Sequence, residues 1–249
     1  MNKVASARKR AWRGANNSEH LILLESTAVA KVLLRMLIPL AGVVTLAGYF
    51  GPWVNHPVAA LVITGLDLGE YVKFLPPVRS GEITIWRAGF YLPLVAVSLS
   101  QSLCAWRPHL SYPILTRAGM LAVAVIAALN LLPPAWTPAR MATPEFYEQS
   151  LALTLLLAAA ALSPMLGLLP RPLVSSLLAL LCGFAIWFPL RNFWRVLPGV
   201  AELYNHALQP GWGVAVATVG LVLLAAGGLS LVWSESQPKS VRNEGPSHN

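Results

Sequence analysis

Residues 212–232 read WGVAVATVGLVLLAAGGLSLV, a run in which no position carries a charge. At 1.5 Å per residue, a helix of this length measures about 31 Å, close to the thickness of a bilayer's hydrocarbon. Such a segment has no wet face to offer water, so it predicts a membrane-crossing helix, with Gly227-Gly228 as a helix-packing pair. Five more stretches read the same way toward the amino terminus: Leu173–Leu190, Ser150–Leu169, Arg117–Leu132, Arg87–Ala105 and Val32–Phe50. The one at Arg117–Leu132 is the shortest, and Pro133-Pro134 ends it. Pro39, Pro93 and Pro164 fall inside these segments and predict kinks there.

The whole chain agrees with its last segment. Of 249 residues, 56% are hydrophobic and 11% charged, against about 25% charged in soluble domains. The predicted fold is all-α, a polytopic membrane helix bundle of about six transmembrane helices in one domain, residues 32–233. A basic cytosolic tail, residues 1–31, precedes it. Within that tail His20–Lys31 reads as an interface helix, or else the first helix is simply long. Residues 234–249 read as a disordered cytosolic tail.

The net charge of +8 has a placement that excludes nucleic acid as a partner. Lys3, Arg8, Lys9, Arg10, Arg13 and Lys31 all precede the first span, which marks a topology signal or a contact with anionic lipid rather than a folded basic face. With the amino terminus inside, twelve lysines and arginines fall on the inner side and six on the outer. That imbalance puts both termini in the cytoplasm of a cell (plasma or inner) membrane. Trp53, Trp86, Trp136, Trp187, Trp194 and Trp212 then all land at outer ends of spans, where indole rings favour the headgroup boundary. Arg191 and Arg195 join them as interface anchors, or as an anion contact.

Between the first two spans lies GPWVNHPVAALVITGLDLGEYVKFLPPVRSGEITIWR, residues 51–87, the stretch with several carboxylates close together. Its segment Pro57–Leu75 opens with a run of nine mostly apolar residues, too short to span alone, followed by Asp67, Glu70 and Lys73, and so reads as an interfacial or re-entrant helix rather than a seventh span. At 100° per residue His56, Thr64, Asp67, Glu70 and Tyr71 share one face, interrupted by Ile63 and Phe74. Asp67 and Glu70, three apart, should sit side by side, either as a polar site facing a cavity or as the wet face of a surface helix with a Glu70–Lys73 pair. The second outer loop, Arg191–Gly211, predicts a short helix between Pro198 and Pro210 that places Glu202 and His206 on one face. His56, Asp67, Glu70, Glu202 and His206 are thus the candidate polar site.

No cofactor or metal is expected. No two histidines sit at metal-binding separation within one helix, and Cys104 and Cys182 read as small buried hydrophobes. GxxxxGK[ST], HExxH, GxSxG and CxxC are all missing from the sequence, so an enzyme is the less expected class. Three functions remain: a transport-related, permease-like membrane subunit; a non-catalytic accessory subunit of a larger membrane complex; and an enzyme acting on lipid through Asp67 and Glu70. Six spans with both ends inside, an interface helix before the first and a helical insertion before the last are similar in outline to exporter-type ABC permeases. The large first outer loop departs from that outline. The expected partners are the lipid bilayer and other membrane subunits.

Overall fold

The computed structural model describes residues 35–55, 62–133, 136–204 and 207–233. The expectations for residues 1–31 and 234–249, and for His56 and His206, lie outside them. From Ile38 onward the chain makes one compact unit, and the packing below is that of this unit.

The unit is mostly helical. Helix α1 (Arg35–Phe50) runs into strand β1 (Pro52–Asn55), followed by β2 (Ile63–Thr64), α2 (Gly65–Tyr71), a 3₁₀ turn (Val72–Phe74) and α3 (Pro76–Arg79). A second 3₁₀ turn (Arg87–Tyr91) leads into α4 (Leu92–Cys104), and α5 (Ile114–Leu129) returns. Then come α6 (Pro138–Met141), α7 (Tyr147–Ala161), α8 (Ser163–Leu166), α9 (Arg171–Tyr204), β3 (Gln209–Pro210) and α10 (Trp212–Trp233).

A helix therefore stands at each of the six apolar segments, but among the described residues only α9 and α10 are by themselves long and apolar enough to cross a membrane. Helices of spanning length thus stand at two of the six expected spans. Prolines account for part of the shortfall. Pro93 sits in the first turn of α4, where its missing N–H costs nothing, and so marks a start rather than a kink. Pro164 does the same for α8, which splits the expected fourth span in two. Conversely, α9 runs unbroken through Pro189 and Pro198 to Tyr204, replacing the separate short helix expected in the second outer loop. Buried Asn192, Phe193, Val196 and Val200 pin the helix around Pro198, and the packing outweighs one lost backbone bond.

Helix α4 is the hub. Ten of its thirteen residues are buried, and it packs against α5, α7, α9 and α10, with α1 on a further side through Gln101 Nε2, which donates to the Ile38 carbonyl at 2.9 Å. Small residues set the tightest crossing. A Cβ added at Gly48 would collide with the Ala217 backbone, and one at Gly220 with Thr45, so α1 and α10 touch main chain to main chain.

No sheet is expected in an all-α bundle, yet β2, β1 and β3 form one in that order. Strand β1 pairs antiparallel with β2 (Val54 opposite Ile63) and with β3 (Asn55 opposite Gln209). The Gly211 amide extends the tie, donating to the Trp53 carbonyl at 2.8 Å. Beneath the sheet Trp53 is 2% exposed, ringed edge-on by Tyr49, Phe90 and Phe193 at 5.8–6.5 Å between centroids. Trp53 is thus a core residue rather than a headgroup anchor, because β1 turns its side chain inward under the sheet. Trp86, Trp136, Trp187, Trp194 and Trp212 are exposed.

Candidate functional site

Only the end of the expected interfacial helix is helical among the described residues. It begins at Gly65, and the reason is Asp67. Its carboxylate accepts from the Thr64 amide at 2.9 Å and from the Thr64 hydroxyl at 2.8 Å, while the Thr64 hydroxyl oxygen accepts from the Asp67 amide. This reciprocal cap satisfies donors that would otherwise be orphaned at the helix start. Asp67 is therefore committed to starting α2.

Glu70 has other partners. Its carboxylate receives Lys73 Nζ at 3.0 Å and the Tyr91 hydroxyl at 2.8 Å, with Arg87 Nη1 at 3.9 Å. Lys73 and Arg87 both reach onward to Glu145, at 3.3 and 3.4 Å, and Arg87 also donates to the Glu145 carbonyl at 3.2 Å. Beside them, the Trp86 indole donates to Glu148 at 3.1 Å. Residues 70–91 and 145–148, from two segments far apart in the chain, are thereby bound by alternating charges. Burial pushes the Glu70 carboxyl up, but the Tyr91 hydroxyl, Lys73 and Arg87 outweigh it and hold the group below its ordinary range.

The expected pair does face a common space. Asp67 and Glu70 line a surface depression of about 420 Å³ together with Ile63, Tyr71, Phe74 and Tyr204. Burial, and then the Tyr204 hydroxyl, push the Tyr71 phenol up to about 12. Near neutral pH Glu70 stays ionised and Tyr71 stays protonated, so neither is poised to exchange a proton with a substrate. Glu202 lies exposed in the last turn of α9, and His56 and His206 are outside the described residues, so the five-residue site is brought together only at Asp67 and Glu70.

Sequence reading missed Glu145, Glu148, Arg87 and Tyr91 as members of this cluster. The signal was available in principle: Glu145 and Glu148 fall on the same predicted outer side as Lys73 and Arg87. The Thr64-Gly-Leu-Asp67 spacing likewise resembles a capping box.

A second polar feature lies inside the bundle. Arg107 Nη2 donates to the Leu169 carbonyl at 3.2 Å, and Gly167 abuts Trp106. With Trp86–Glu148 at the other end, these contacts fix α4 parallel to α7–α8. Ser98 and Ser102 of α4, Gln149 of α7 and Ser163 of α8 are buried, and the three serine hydroxyls have no hydrogen-bond partner among the described residues.

Comparison with protein families, with characterised proteins and with solved structures finds no match for this chain. Its function must be argued from its own residues.

Proposed function

We propose that this is a multi-pass integral membrane protein, crossing the bilayer six times, that serves as a non-catalytic accessory subunit of a larger membrane assembly. Support for multiple crossings comes from what the helices present outward. Leu40 and Val43 on α1, Leu115 and Ile126 on α5, Leu151 and Leu155 on α7, Leu180 and Phe184 on α9, and Val219 and Val222 on α10 are all exposed. Apolar surface on every outer helix suits lipid rather than water. The short helices also gain length from their neighbours. The 3₁₀ turn Arg87–Tyr91 and α4 together extend about 30 Å, and α7 and α8 follow end to end.

The observation that carries the accessory reading is the alternating cluster of Glu70, Lys73, Arg87 and Glu145. Its charges neutralise one another and hold the outer connections in a fixed shape, as a docking platform requires. The exposed tryptophans around that platform supply rigid amphipathic contact area. The test is mild extraction from native membranes and mass analysis of what co-purifies. A stoichiometric set of membrane subunits, lost on Trp194→Ala and weakened in Glu70→Gln, is the expected result. A chain that comes out alone would overturn the reading.

A transport role is the second reading, and one feature favours it. The buried serine hydroxyls on α4 and α8 are costly unless water reaches them, and water between these helices would make a route for small polar species. A nucleotide-binding subunit in the same extract would make the protein the permease-like half of a pump.

A further inference from the structure

Helix α9 carries a furrow of about 620 Å³ on its exposed side, lined by Gly183, Trp187, Leu190, Arg191, Trp194 and Arg195 among others. From Gly183 to Arg195 the helix rises about 18 Å, close to the hydrocarbon depth of one leaflet, about half of 30 Å. Its chemistry changes along that length. The Gly183 end is open: a Cβ added there would meet nothing within 4 Å. Trp187 and Trp194, 62% and 55% exposed, flank the middle. The far end carries two guanidinium groups one helical turn apart.

Those two arginines differ from the cations of the Glu70 cluster. Lys73 and Arg87 are matched by Glu70 and Glu145, whereas Arg191 and Arg195 form no ion pair among the described residues. Arg195 is also held in place, donating from Nη1 to the Thr84 carbonyl at 3.1 Å, and a guanidinium so anchored keeps further donors for a ligand. An apolar channel one leaflet long that ends in two unmatched positive charges is complementary to an acyl chain joined to a phosphate.

We infer that this furrow binds an anionic phospholipid, one acyl chain lying between Trp187 and Trp194 toward Gly183 and the phosphate bridging Arg191 and Arg195. The inference rests on the reading that α9 crosses the bilayer. A zwitterionic lipid fills the same channel but brings its own cation against the two guanidinium groups, so the site discriminates by headgroup.

The experiment is thermal melting of the full-length protein in detergent, titrated with phosphatidylglycerol or with phosphatidylcholine of the same acyl chains. Phosphatidylglycerol should raise the melting temperature with a half-effect at a concentration about tenfold lower. Arg191→Gln should reduce that preference and Arg191→Lys retain it. Gly183→Phe, whose Cβ meets nothing within 4 Å and whose ring would occupy the furrow, should weaken the response to both lipids. Equal responses to the two lipids in the wild type would overturn the site, as would an undiminished preference in folded Arg191→Gln and Arg191→Gln/Arg195→Gln proteins. Either result leaves the membrane reading standing. A chain that stays monomeric in buffer without detergent would instead overturn the membrane reading itself.

Discussion

Asp67 and Glu70 are three residues apart on one helix face, carry the same charge and do different work. Asp67 closes the start of α2, so Asp67→Ala should cost about 1 kcal/mol of stability, and Asp67→Asn, which keeps an acceptor, less. Thermal melts of the two variants check this. Glu70 acts through charge. Its folded-state pKa lies below the unfolded value near 4.5, so its contribution is complete above that pH and is lost as pH falls through the lower folded value. The wild-type melting temperature should therefore exceed that of Glu70→Gln at pH 7, and the gap should close progressively below about pH 4.5. A gap that widens on acidification would contradict the assignment. The residue types at this site could be read from the chain. Their partners could not, because Lys73 to Glu145 is a contact across seventy-two positions that no local period encodes.

Among elements, the α1–α10 crossing is the least forgiving. Gly48 and Gly220 each face backbone, which cannot swing aside as a side chain can. Gly48→Val or Gly220→Val should destabilise by about 3 kcal/mol, read as a lower melting temperature and a smaller folded fraction in detergent. Gly183→Ala, facing open space, should be silent or slightly stabilising. All six apolar segments were legible because burial in lipid or protein demands continuous apolar runs. Their ends were less so. Pro93 and Pro164, expected as kinks within spans, mark helix starts, while at Pro198, expected as a helix boundary, tertiary packing carries α9 straight through. The strands escaped notice because two-residue β2 and β3 are too short to show alternation.

For the molecule as a whole, the proposed six crossings would place the 72–86 connection and the 105–113 connection on opposite sides of the membrane. Ser80 and Ser111 are exposed in them, and the native Cys104 and Cys182 are buried. Ser80→Cys should react with an impermeant maleimide added to intact cells, and Ser111→Cys only after permeabilisation. Labelling of both from outside would refute the arrangement. Composition and charge bias carried this level of reading well, since they are sums over many residues. Trp53 shows where a sum misleads: six tryptophans fit an outer collar by position, and one of them is the centre of the core.

The small sheet sets a constraint on how the protein is made. Strand β1 lies just after the first span and β3 just before the last, about 150 residues later in the chain. At 5–20 residues per second, a ribosome needs roughly 8–30 s to bring β3 out after β1. For that interval one edge of β1 stands without its final neighbour, and the aromatic nest under Trp53 lacks Phe193 for nearly as long. The outer cap can close only when synthesis is almost finished, so a chain truncated before residue 209 would display an unfinished strand edge to whatever surveys newly inserted membrane proteins.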